Sequence, residues 1–120
     1  MARVDHTPLT LLGPYPDLQP AALSATVTWV AADATNKNQC PLTGKEILLV
    51  RNTDAGAHTV TVTSAPNARN RTGHITAYAL AAGKTAAFGP FDTNGWVQSG
   101  AKLYFEADDA TVEFAVLRLP

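Results

Sequence analysis

Cysteine is almost missing from this 120-residue chain, where Cys40 stands alone. No intrachain disulfide can form, and a metal site built from several thiolates is excluded. Charge is scarce as well. Charged side chains make up 16% of the sequence, below the ~25% usual for soluble domains, against 46% hydrophobic residues. Nine Lys and Arg against ten Asp and Glu leave a formal charge of −1, too little to build the basic field on which non-specific nucleic-acid binding depends. No stretch approaches the ~20 apolar residues of a membrane helix. The amino terminus lacks a charged region followed by a long apolar run, so no secretion signal is expected.

Signatures of chemistry are missing too. There is no Gly-x-Ser-x-Gly turn, no glycine-rich phosphate loop and no His-Glu-x-x-His pair. His6, His58 and His74 lie far apart in sequence. The last two open predicted strands, where solvated strand-end histidines are a simpler reading than a shared metal. Asp33-Ala34-Thr35-Asn36 and Asp108-Asp109 offer hard oxygen donors but match no calcium loop, and Asp and Asn prefer turns for their own backbone bonding. Glu46, Glu106 and Glu113 sit inside predicted strands, where period-two placement puts them on a solvated face. Cys40, next to Pro41 with no His or Lys beside it, reads as a buried, inert thiol. These readings predict a non-enzymatic protein with no catalytic residue, no cofactor and no metal.

What is present, from about Ala25 onward, is alternation. Apolar residues recur at a period of two between closely spaced turn residues, the pattern of many short strands. The clearest is His58-Thr59-Val60-Thr61-Val62-Thr63-Ser64, with Val60 and Val62 on one face and threonines on the other. Further strands are predicted over Thr26–Val30, Glu46–Val50, His74–Leu80 with Ile75 and Ala77 on one side, and Thr85–Phe91 bent by Gly89-Pro90. Gly95–Gln98, Lys102–Glu106 and Thr111–Leu119 complete the set, with Asp108-Asp109 as a hairpin corner. About eight short strands without an amphipathic helix predict an all-β fold, a β-sandwich or jelly roll, over residues 26–120. A short helical turn near Pro20–Ser24 is the only helical expectation.

Residues 1–25 differ from the rest. Pro8, Pro14, Pro16 and Pro20 supply half of the chain's 8 prolines, interleaved with Leu9, Leu11, Leu12, Tyr15 and Leu18. Such a segment is extended yet too apolar to float free in water. It is expected to lie on a surface, either its own domain or a neighbouring subunit. In the second case Leu9, Leu11, Leu12, Tyr15 and Leu18 bind the partner, with Arg69 and Arg71 forming a basic loop against acidic groups. Because the strand pattern begins near Ala25, the arm reads as dispensable for folding. Aromatic residues Trp29, Trp96, Tyr15, Tyr78 and Tyr104 suggest an alternative, a carbohydrate-binding or host-recognition module, with Trp96 after the Asn94-Gly95 turn as the best stacking platform.

The stretch Asn38-Gln39-Cys40-Pro41-Leu42-Thr43-Gly44-Lys45-Glu46-Ile47-Leu48-Leu49-Val50-Arg51-Asn52-Thr53, followed by His58–Ser64, Ala82-Gly83-Lys84 and Gly89-Pro90-Phe91, resembles small virion proteins encoded beside the major capsid protein in tailed bacteriophages. The resemblance covers roughly residues 26–119 and rests on strand-and-turn patterns. It implies a capsid decoration or cement protein, made in the host cytoplasm and carried on the virion surface. It further implies a homo-oligomer, expected as a trimer, that clamps major capsid protein subunits without performing a reaction.

Overall fold

The computed structural model describes residues 2–11, 25–66 and 69–120. Strand is the dominant regular structure among them, and the strands form two mixed sheets. The first runs β1 (Val4–Asp5), β4 (Asn38–Pro41), β9 (Lys102–Ala107), β6 (His58–Thr63) and β7 (Ile75–Leu80). The second runs β2 (Leu9–Thr10), β10 (Val112–Arg118), β5 (Glu46–Asn52) and β8 (Thr85–Phe88), with β3 (Val30–Ala31) also on β10. Among the described strands only β1 on β4 and β2 on β10 pair in parallel. From β4 onward the β6–β7 connection alone stays within a sheet.

The strands form where side chains of alternate polarity separate two environments. In β5 the inward positions Leu48 and Val50 are buried while Ile47, Leu49 and Arg51 are half-buried on the other face. Val60 and Val62 of β6, Leu103 and Phe105 of β9, and Val112, Phe114 and Val116 of β10 join them in one core cluster drawn from both sheets. Each such side chain removed from water contributes about 1.5–3 kcal/mol before entropy is counted. At the centre Phe105 and Phe114 meet edge to face with ring centroids 4.7 Å apart, an arrangement favoured by the ring quadrupoles.

Several sequence expectations shift. Thr26–Val30 contracts to Val30–Ala31 because of competition for one edge. β10 gives its full length to β5 on one side. On the other side β3 takes Glu113 and Phe114, and β2 takes Leu117 and Arg118. Continuing β3 in register would bring Val27 opposite Leu117, a place held by Leu9. Residues 26–29 therefore peel away, and Thr26, Val27 and Thr28 bound a groove of about 440 Å³ together with Pro8, Leu9 and Leu117.

β4 carries a strand where none was expected, since its inward position Asn38 is polar although fully buried. Gly95–Gln98 is not a strand: Thr93–Trp96 makes a distorted helical turn, with the Asp92 side chain accepting the Asn94 N–H. Asp108-Asp109 is not a hairpin corner either, because it carries the chain from β9 in one sheet to β10 in the other. In β7, Val60 faces Tyr78 and Val62 faces Ile75, so a bulge adds one residue at Thr76-Ala77. Tyr78 thereby joins Ile75 on the inward side, and Ala77 does not. β8 ends at Phe88 before a cis Gly89-Pro90 bond. A Cβ at Gly89 would lie 2.9 Å from the Glu46 carbonyl oxygen, so glycine is required there.

The described part of the N-terminal segment belongs to both sheets. Val4 and His6 donate their N–H groups to the Lys37 and Gln39 carbonyls, and Leu11 donates to the Arg118 carbonyl. Between these anchors His6 crosses from one sheet to the other and is only 3% exposed. Its ring lies 5.3 Å from that of Phe105 and 5.8 Å from that of Phe114. Nε2 is 2.9 Å from Asn38 Oδ1, which also accepts the Asp33 N–H. Nε2 therefore carries a proton.

Candidate functional site

The N-terminal segment closes one side of the two sheets. On the opposite side both sheets end in a strand that no other described strand pairs, β7 in one and β8 in the other. The two edges touch through Tyr78 and Phe88, whose rings meet edge to face at 5.2 Å. Tyr78 is 45% exposed, and Thr76, Ala77, Ala79, Thr85 and Ala87 are exposed around it. From Ile75 to Phe91 the only charged residue is Lys84. Natural sheets commonly blunt open edges with lysine, proline or bulges, since unpaired N–H and C=O groups recruit other strands. Here the bulge at Ala77, with φ of 50° and its N–H held by Thr61 Oγ1, is the device present on β7. Among the described residues the open side is thus apolar, nearly uncharged and edged by backbone groups that no described strand pairs.

The structure distributes the other candidate residues. Leu9 pairs with Leu117 and is half-buried, as is Leu11. Leu12, Tyr15, Leu18 and the helical turn expected near Pro20–Ser24 lie outside the described residues. Arg69 and Arg71 are exposed in the β6–β7 connection, each already engaged in an interaction. Trp96 packs its ring against Phe91 at 4.8 Å beside the core. Arg51 covers the Trp29 ring at 4.5 Å and Arg3 covers Tyr104 at 4.0 Å, as cations do over aromatic faces. Among the described aromatics, Tyr78 is the one large exposed ring.

His58 and His74 stand at opposite ends of the β6–β7 pair and do not meet. His74 Nδ1 instead accepts the Ser64 N–H at 3.0 Å. Among the described residues no three His, Cys, Asp or Glu side chains are grouped to hold a metal. Asp33 forms the expected turn, its Oδ1 accepting from the Thr35 and Asn36 N–H groups. Those bonds hold its carboxyl below the ordinary value, the Asn36 N–H most of all. Cys40 is fully buried, and that burial, aided by the Glu46 charge, pushes its thiol up to about 12. It is unsuited to nucleophilic work, which needs the thiolate.

Glu46 is not on a solvated face. It is fully buried, in phase with Leu48 and Val50. Its carboxylate accepts the Thr43 N–H at 2.6 Å, the Thr43 hydroxyl at 2.8 Å and the Arg118 Nε at 2.5 Å, with weaker bonds from Gly44 and Lys45. Burial alone would raise its pKa, but the Thr43 N–H and Arg118 outweigh that and leave it lowered. Its role is to tie the turn before β5 to the end of β10. Glu46→Ala is expected to cost about 2–4 kcal/mol, because three N–H groups, the Thr43 hydroxyl and a guanidinium lose their acceptor while Arg118 regains some water. Urea unfolding would show a lowered midpoint with an unchanged slope. Since the native pKa is depressed, this contribution is present above the ordinary carboxylate range and fades as pH falls through the native value. An unfolding free energy within about 0.5 kcal/mol of the parent's would refute the role.

Comparison with known proteins finds no matching family model, no matching curated protein and no matching solved structure.

Proposed function

We propose that this protein is a non-enzymatic virion structural module that binds the outside of a phage capsid and stabilises it. The two facing sheets are read as a β-sandwich with an extended N-terminal arm, and the major capsid protein as the partner. The observation that carries the reading is the open side at β7 and β8. An apolar, almost uncharged pair of sheet edges is costly to leave in water and suited to burial against another protein. The resemblance over residues 26–119 names the shell as that protein. Attachment as an oligomer multiplies weak single contacts through effective concentration, which stabilises a shell without any reaction.

The test is co-sedimentation of the full chain with expanded capsids, with light scattering for oligomeric state. The parent should pellet with capsids and scatter as an oligomer. The double variant Tyr78→Lys with Ala87→Lys places two charges on the open side; it gives up the Tyr78–Phe88 ring contact but replaces no buried side chain. It should remain folded by circular dichroism and lose at least tenfold in capsid affinity. Binding unchanged by the two lysines would remove the open side from the mechanism. A parent that ignores capsids yet binds a glycan array would shift the function to carbohydrate recognition.

A further inference from the structure

At one end of the molecule, two connections that cross between the sheets converge on a single imidazole. The β5–β6 connection carries Asp54, the β9–β10 connection carries Asp108, and His58 opens β6 between them. His58 Nε2 lies 2.8 Å from Asp54 Oδ2, and Nδ1 lies 3.0 Å from Asp108 Oδ1. A carboxylate only accepts hydrogen bonds, so each contact needs an N–H on the ring, and a neutral imidazole has one. Both bonds exist together only on the imidazolium.

We propose that His58 is a proton-operated clamp that fastens the two sheet-crossing connections to each other at weakly acidic pH and lets one go as pH rises. The slot it occupies is built independently of its charge. Asp108 Oδ1 also accepts the Thr59 N–H at 3.2 Å, and Asp54 Oδ1 accepts the Ala55 N–H at 2.8 Å. Asn52, only 2% exposed, fixes the base of the first connection. Its amide donates to the Gly56 and Leu80 carbonyls, and its oxygen accepts the Asp54 N–H. The ring itself is held with 14% of its side chain exposed.

The charged groups facing the ring set the direction. Asp54 and Asp108 touch it, and Asp109 adds to the negative field. The nearby cation Lys37 is already paired with Glu106 at 2.8 Å on the adjoining strand. The Asp54 hydrogen bond raises the His58 pKa most; partial burial opposes it, and the Asp108 and Asp109 charges add to the rise. The same contact lowers the Asp54 pKa. A raised imidazole value means the contribution is complete below the ordinary value of ~6.5 and is lost as pH climbs through the native value. A lowered Asp54 value means its share is present above the ordinary carboxylate range and is lost as pH falls through the native value. The clamp is therefore whole between these two limits. Above the upper one, a ring lone pair faces a carboxylate, and three carboxylates remain at this end with no imidazolium among them.

The experiment uses the full chain at ~0.15 M salt, where exposed charges are screened beyond roughly 8 Å. Nitrogen NMR of the His58 ring from pH 5 to 9 should show both nitrogens protonated at pH 6 and a midpoint above ~6.5. Asp54→Asn and Asp108→Asn should each lower that midpoint. Amides of residues 53–57 and 108–111, corrected for intrinsic exchange, should exchange at least fivefold faster at pH 8 than at pH 6, and His58→Gln should abolish that difference. A singly protonated ring at pH 6, a midpoint at or below the ordinary value, or the same exchange profile in His58→Gln would each overturn the clamp. The ring titration is read on the parent protein, so the result stands even if a variant fails to fold.

Discussion

Val62→Asp is expected to leave the protein unfolded or aggregated. Val62 is fully buried in β6, opposite Phe105 of β9 and Ile75 of β7. A carboxylate there would meet only apolar side chains. An unpaired polar group in such a place costs several kcal/mol, and an ionised one more. That rivals the ~5–15 kcal/mol by which a whole domain is stable. Thr63→Asp, one residue along and facing the other way, is the control and should fold. Far-ultraviolet circular dichroism and solubility of the two proteins decide the matter. A soluble Val62→Asp protein with a cooperative melt would mean the core does not lie where the two sheets face each other.

Deleting residues 1–11 should also destabilise the fold severely, although the sequence pattern makes this arm look dispensable. The deletion strips a partner strand from β4 and another from β10. It removes the Arg3 side chain from the Tyr104 face and from the Asn38 carbonyl. Above all it withdraws His6 from its packing against Phe105 and Phe114. His6→Ala alone should cost about 2–4 kcal/mol, combining a cavity with a lost buried hydrogen bond. That corresponds to a melting point lower by roughly 10 °C in a domain of this size, and the deletion should exceed it. A deleted chain that melts within about 3 °C of the parent would show that the segment merely lies on the surface.

Much of the fold was legible in the order of residues. In β5, β6 and β10, apolar side chains alternate with polar or less buried ones, and a two-residue period has one meaning on a pleated strand. β4 was hidden because Asn38 occupies an inward position. Its polarity is satisfied by His6 and Asp33, residues that no local window connects to it. The strand expected over Thr26–Val30 is found only at Val30–Ala31, because pairing depends on a free edge, and Leu9 holds the one that Val27 needs. The bulge at Ala77 has no sequence mark, since alanine with positive φ is not what a pattern predicts.

The candidate site divides in the same way. Glu46 had a readable signal in its phase with Leu48 and Val50, and only its distant partner Arg118 was out of sight. The open side was legible as a long uncharged stretch, but that the stretch forms two neighbouring edges is a matter of topology. His58 looked like an ordinary strand end until β9 and β10 brought Asp108 to it.

The strand order also governs when this protein can fold during synthesis. β9 separates β4 from β6, and β10 separates β2 and β3 from β5. Every other strand precedes these two in the chain. Until Lys102–Arg118 has emerged, neither sheet can close, and the strands already made can form only the separate pairs β1–β4, β5–β8 and β6–β7. Pairings between residues so far apart in sequence carry a large loop-closure entropy before any contact repays it, which makes folding slow. A nascent chain halted before residue 102 would therefore be a client for chaperones, with the edges of β6 and β5 that await β9 and β10 left exposed on the ribosome.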